Sequence, residues 1–423
     1  MQYLVRGGVL AVLVGLCASI AARAGETPPG ANLTELLALA KANSPEYAGM
    51  LHEAQAARER IGPAGALADP KLRIELMDIT KMGEQSPTLL PGDVGSTRYT
   101  LMQEIPWFGK RDLRRDMAAQ EFEGAEARVR LSWAELSQRI KSRYAQFYFL
   151  HQSERLTAEI LDLMARLEKV ALVRYASGLA AQQDVIRAQV EQSNLKNELI
   201  SIENELRMVR ARLNALLARP ANAPLTPPQE LRALPTAQRM SYEALQERVR
   251  SGNPQLFADD ARLRSARSAR DLTYKNRYPD FAFSLTPVQS GSAIKEWSLM
   301  VELNIPLQQA TRRAQEREAE AMLAAALARK EATANQVLGE LAESLSGLDA
   351  ARRTEVITAT SLLPQAELTF STALANYETG KVDFGTLLDA QRQIRQAKQS
   401  RFKAQSEAHT RLAEIERLLG EDL

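Results

Sequence analysis

Cysteine is almost absent from this chain. There is one in 423 residues, Cys17, and it lies inside an apolar stretch close to the start. With that stretch removed, a disulfide framework and a cysteine metal site are both excluded. Histidine is nearly as scarce: His52, His151 and His409 are far apart, and no H-x3-H spacing occurs. Resident metal ligation is therefore not expected. Met77, Met82, Met102 and Met300 fall in or near predicted strands, where thioethers are more often filler than ligands for a soft metal. Aromatic residues make up only 5%, which speaks against a thick globular core. With Ala, Leu, Glu, Arg and Gln abundant, the composition favours long helices. After the first 24 residues no run of 18 apolar residues occurs, so no spanning helix is expected. Neither sign of charge dominates. The formal net charge is +2, and Arg6 and Arg23 account for it. With no basic face, nucleic-acid binding has no support. No Gly-rich phosphate loop, G-x-S-x-G or His–carboxylate pair is present, so neither an enzyme nor a cofactor is expected.

What is present begins with residues 1–24, which read as a secretory signal peptide. Arg6 is the positive flank, residues 8–21 the apolar core, and Ala22-Arg23-Ala24 the cleavage site. Leu16 fits poorly in a lipoprotein box, so Cys17 is expected to leave with the signal.

The organising feature is an internal duplication. The stretch VRYASGLAAQQDVIRAQ (173–189) matches LANYETGKVDFGTLLDAQ (374–391), with Tyr175 against Tyr377, Gly178 against Gly380 and Ala188 against Ala390. Each lies between two long helical patterns, and glycine suits a reversal that needs φ > 0. Both read as tips of antiparallel helical hairpins. The expected organisation is a first repeat over 25–225 and a second over 226–423. Each holds a helix pair, a β-hairpin (71–105 and 280–305) and a helical hairpin (109–219 and 308–419). Leu195, Leu199, Ile202, Leu206, Val209, Leu213 and Leu216 follow a heptad stripe. Residues 220–238, rich in Pro and Ala, join the repeats.

The strand segments alternate strictly. Trp297, Leu299, Val301, Leu303 and Ile305 share one face, with Glu296, Ser298, Met300, Glu302 and Asn304 on the other. Leu72, Ile74 and Leu76 alternate with Lys71, Arg73 and Glu75 in the first hairpin. Loops at 80–96 and 288–293 join the strands, and Ile105-Pro106 and Ile305-Pro306 end the hairpins. Such strands suit a tilted membrane barrel with a lipid-facing outside and a wet inside. Four strands cannot close one, so the chain must oligomerise.

The A-x-A signal, the twin repeats, the Ile-Pro exits and the Tyr-x-x-Gly turns resemble the TolC family of outer-membrane efflux channels. The run QEIPWFGKRDLRR (103–115) resembles its heavy-metal branch of CzcC/CusC-like components. The resemblance implies a mainly α fold with a small β part, of long coiled-coil hairpins plus four β-strands per protomer. It implies a homotrimer with a twelve-stranded β-barrel in the outer-membrane lipid of a Gram-negative cell and a periplasmic α-barrel. It also implies a periplasmic adaptor (membrane fusion protein) and an inner-membrane pump of the resistance-nodulation-division class. The channel would be a passive duct, here for heavy-metal cations. Drugs, other organic compounds or type I secretion substrates are the alternative cargo. A soluble periplasmic coiled-coil adaptor or scaffold is the alternative of another class.

Matched from the turn glycines, the resemblance puts gate acids at Asp184 and Asp389. At Thr386, where a further acid belongs, this chain departs. Acids repeated by three-fold symmetry would attract cations and repel one another. The plainer reading is a solvated flank acid paired with Arg187 or Arg392. Tyr175, Gly178, Tyr377 and Gly380 are the expected adaptor-contact tips, or simply turn-formers. Glu75, Glu104 and Glu302 are expected to face the lumen and favour cations. Trp297, Tyr99 and Tyr278 are candidates for an interfacial aromatic belt.

Overall fold

The computed structural model describes residues 28–423; the signal peptide and Cys17 lie outside the described residues. Ten helices are used below. They are α1 (Leu33–Asn43), α2 (Pro45–Glu59), α3 (Ile61–Gly65), α4 (Lys110–Ala176), α5 (Gln182–Leu216), α6 (Tyr242–Gly252), α7 (Pro254–Lys275), α8 (Gln309–Ile357), α9 (Leu363–Glu378) and α10 (Phe384–Leu419). The strands are β1 (Lys71–Met77), β2 (Ser96–Ile105), β3 (Phe281–Ser290) and β4 (Ala293–Leu303). No described helix is long and apolar enough to cross a membrane.

The compact units do not coincide with the halves of the sequence. One holds residues up to 44 with 136–235 and 344–414; the other holds 45–135, 236–343 and 415–423. Each draws on both repeats, because an amphipathic rod must bury its stripe against another rod. In the first unit Leu195, Ile202, Leu206, Val209 and Leu213 of the heptad stripe are buried. Its main core joins Leu156, Ile160, Met164 and Leu167 of α4 to Leu195 of α5, Tyr377 of α9, and Phe384 and Leu387 of α10. One departure from the expected single helix over the second rod is a π-turn at Thr358–Leu362 between α8 and α9. Pro364 explains it: its ring nitrogen cannot donate, and its ring would clash with the carbonyl four residues back, so the helix widens there.

The second unit contains the sheet, an antiparallel meander in the order β1-β2-β3-β4. Leu72 pairs with Leu101, Leu101 with Leu285 and Leu285 with Leu299. This row of leucines is exposed throughout, from 44% at Leu285 to 73% at Leu299. β1 and β4 each pair on one side only, leaving two open edges. The second hairpin is tighter than its sequence indicates. Strand pairing runs to Ser290 and resumes at Ala293, so only Gly291 and Ser292 turn the chain. Gly291 has φ 66°, which a two-residue turn requires. Pro287 sits inside β3 and pairs with Trp297.

Candidate functional site: the paired hairpin tips

Both tips end in the same backbone device. At the first, Gly178 N–H donates to the Tyr175 carbonyl (2.9 Å) and Leu179 N–H to Arg174 (2.8 Å). At the second, Gly380 N–H donates to Tyr377 (3.0 Å) and Lys381 N–H to Asn376 (2.8 Å). These are matching Schellman closures around glycines at φ 72° and 75°. Gly178 has open space where a Cβ would go, so its requirement is conformational alone.

The side chains then diverge. Tyr175 is 43% exposed, whereas Tyr377 is 2% exposed. Tyr377 packs edge-on against Phe384 at 5.4 Å, and the Arg174 guanidinium lies 5.0 Å over its ring. Arg174 also donates to the Glu378 carbonyl at 2.6 Å and the Leu179 carbonyl at 3.3 Å. One arginine of the first tip therefore ties down the second. Tyr377 is part of the core here, which removes it from the expected partner-contact surface.

The acids are also rearranged. Asp184 is half-buried near the start of α5. Burial pushes its carboxyl up, Arg187 pulls it down, and the charge of Asp383 pushes it up again. Sequence matching missed Asp383. It caps α10, accepting from Thr386 N–H (2.8 Å) and the Thr386 hydroxyl (2.6 Å). Those bonds hold the Asp383 carboxyl below its usual range. The position lacking an acid thus carries the donor for one three residues earlier; an Asp-x-x-Thr spacing at a helix start was the available signal. Asp389 stands apart, 72% exposed and 3.6 Å from Arg392. Arg392 instead pairs at 2.7 Å with Glu191, which is 3% exposed. A groove of 760 Å³ between α5 and α10 is lined by Gln183, Ile186, Arg187, Val190, Asp389 and Arg392 among others.

At the sheet, one of the three predicted lumen acids is ion-paired and a second faces a cation in register. Glu104 pairs with Lys71 at 2.6 Å, and Glu75 lies directly opposite Arg98. Glu302 lies opposite Ala282 and keeps its charge exposed. Met102 and Met300 flank Ser284 in one row. Trp297 is 62% exposed and Tyr278 51%; Tyr99 donates its hydroxyl to Gln289 at 3.0 Å. Among the described residues, no group of three or more His, Cys, Asp or Glu is placed to hold a metal.

The family model described as "Outer membrane efflux protein" matches residues 36–219 and 245–421. The chain belongs to this family. It is an outer-membrane efflux channel of the TolC type. Among curated relatives it is 26% identical over 339 residues to the cobalt-zinc-cadmium resistance protein CzcC of Cupriavidus metallidurans, covering 79% of this chain and 80% of that one. Among solved structures, VceC from Vibrio cholerae superimposes with TM-score 0.77 at 20% identity, over 92% of this chain and 96% of that one. CusC gives TM-score 0.79 at 13% identity, over 94% and 96%. These structural likenesses concern the fold.

Proposed function

We propose that three copies of this chain form a passive exit duct for heavy-metal cations. In this reading their twelve strands seal one barrel and the rods form a periplasmic tunnel, joined through an adaptor to a proton-driven pump of the resistance-nodulation-division class. The observation that carries it is the open sheet, with an exposed apolar face and two unpaired edges. In hydrocarbon each unpaired backbone group costs several kcal/mol, so only neighbouring copies can complete the structure. The metal assignment is supported by the similarity to a cobalt-zinc-cadmium resistance protein. The duct performs no chemistry and holds no resident metal. The groove between α5 and α10 is the surface offered to the adaptor, and Asp184 with Asp383 forms the acidic part of the aperture.

Deleting the gene should sensitise cells to cobalt, zinc or cadmium, and plasmid-borne protein should restore growth. Sensitivity confined to organic compounds would overturn the cargo assignment and leave the channel standing. Mass measurement in detergent should give three protomers; a stable monomer would overturn the duct.

A further inference from the structure

Where the sheet gives way to the helices, three segments distant in sequence meet within one unit. Lys110 pairs with Asp280 at 2.8 Å, and Trp107 N–H donates to the same carboxylate at 2.7 Å. Trp107 stacks on Tyr278 at 5.1 Å and on Phe281 at 5.6 Å. Lys275 donates to the Phe108 carbonyl at 3.2 Å, Arg277 pairs with Glu316 at 2.5 Å, and Arg312 donates to the Asn276 carbonyl.

These contacts gather charge that the sequence disperses. Residues 107–115, 275–280 and 305–317 together carry nine Lys and Arg against three Asp and Glu, in a chain whose formal net charge is +2. Asp69, just before β1, and Asp116 and Glu318, just beyond these ranges, subtract three from that surplus of six. Several of the cations have internal partners; Arg114, Arg313 and Arg317 are exposed, and although Asp280 feels the charge of Arg114 and Glu316 that of Arg313, none of the ion pairs found among the described residues engages them. Beside them stand Phe108 (79% exposed), Leu307 (81%) and Ile305 (67%). In sequence, Phe108 lies between the end of β2 and Arg114, and Ile305 and Leu307 lie between the end of β4 and Arg313, so on both chain segments this apolar collar separates strand from basic group.

We propose that this collar binds anionic phospholipid of the periplasm-facing leaflet, with the arginines on the phosphate and Phe108 and Leu307 against the acyl chains. The inference rests on the reading that the helical rods stand in the periplasm. Exposed aromatic and aliphatic side chains match the depth of the acyl boundary, and the guanidiniums of Arg313 and Arg317, one turn apart on α8, match phosphate recognition. A free phosphate would use only the second feature.

The test uses the full-length channel in detergent with equal phosphatidylglycerol and phosphatidylcholine, read by native mass spectrometry. Wild type should retain phosphatidylglycerol at least about tenfold over phosphatidylcholine, since each basic group at an anionic surface contributes roughly fivefold. The triple variant Arg114→Gln, Arg313→Gln, Arg317→Gln should lose at least about tenfold of that preference. Arg155→Gln, Arg166→Gln, Arg353→Gln removes three exposed charges from the other unit and should keep it. Should the triple variant fail to assemble, Arg313→Gln alone should lose roughly fivefold. Excess inorganic phosphate should not displace the lipid. Equal retention of both lipids, equal loss in the control variant, or full displacement by phosphate would each overturn the proposal. A channel that conducts in planar bilayers without lipid preference would sink the collar alone and spare the duct.

Discussion

The two hairpin tips are copies in sequence and near-copies in backbone, yet their tyrosines occupy opposite environments. Tyr175 is 43% exposed and Tyr377 2%, although both precede a Schellman glycine by three residues. The difference comes from Phe384. The matching position at the first tip is Gln182, which gives Tyr175 no ring to pack against. Duplication therefore preserves what the backbone needs to reverse, while packing assigns one tyrosine to the core and leaves the other exposed. Arg174 enforces the asymmetry by reaching from the first tip onto the ring and carbonyl of the second.

The largest effect that would break this comparison is at the buried ring. Tyr377→Ala should cost about 3 kcal/mol, the range of large-to-small substitutions of buried aromatics, whereas Tyr175→Ala should stay within about 0.5 kcal/mol. Limited proteolysis across residues 374–391 should show the first variant cut readily and the second resistant; equal cutting would refute the asymmetry. Tyr377→Phe sharpens the point. The hydroxyl is buried with no protein partner, so its removal should be neutral or stabilising.

Next comes the ion pair between α5 and α10. Glu191 is 3% exposed while Arg392 is 49% exposed, so Arg392→Ala strands a buried carboxylate. The cost should be about 2 kcal/mol, short of a fully buried pair because half of the arginine is solvated. Thermal unfolding should show this loss, and Glu191→Gln with Arg392→Ala should recover part of it. Replacing the glycines should cost both tips about 1 kcal/mol, since each sits at positive φ. Gly380→Ala should be the worse by a little, because its Cβ would stand 3.3 Å from Arg174. Hydrogen exchange at the last turns of α4 and α9 would rank them.

How much of this was legible beforehand follows from what period and spacing encode. Strict alternation delivered all four strands, and the heptad stripe delivered the buried face of α5, because both patterns are direct consequences of burial geometry. The turn glycines were legible for the same reason: only a few residues accept positive φ. The acid cluster was not. Alignment to the turn placed attention on Asp389, but a helix-capping contact is set by the residue three positions earlier than Thr386, and that residue, Asp383, has Ala181 as its counterpart. The π-turn has a signal in Pro364, masked by the flanking periodicity that runs on past it. The compact units could not be read at all, since which rods share a core depends on tertiary partners.

The smallest effect concerns the pair of tip acids, and it separates them by sign. The folded environment raises Asp184 through burial, so the tip disfavours its ionised form and should gain stability as pH falls through the carboxylate range. Asp383 is held below its usual range by Thr386. Its stabilising contribution is present at neutral pH and lost once pH drops through its folded value. Acidification should therefore first tighten the tip and then loosen it. Hydrogen exchange at the tip amides, corrected for intrinsic rates, should pass through a maximum of protection in mild acid. Asp184→Asn should raise stability at neutral pH and remove the rising limb. Asp383→Ala should cost about 1 kcal/mol as a lost cap and remove the falling limb. Asp389→Ala, exposed and only loosely paired, should leave the profile unchanged. If these acids also narrow the aperture, Asp184→Ala with Asp383→Ala should raise single-channel conductance in planar bilayers more than Asp389→Ala does, and equal conductances would return the gate to the residues matched by sequence alone.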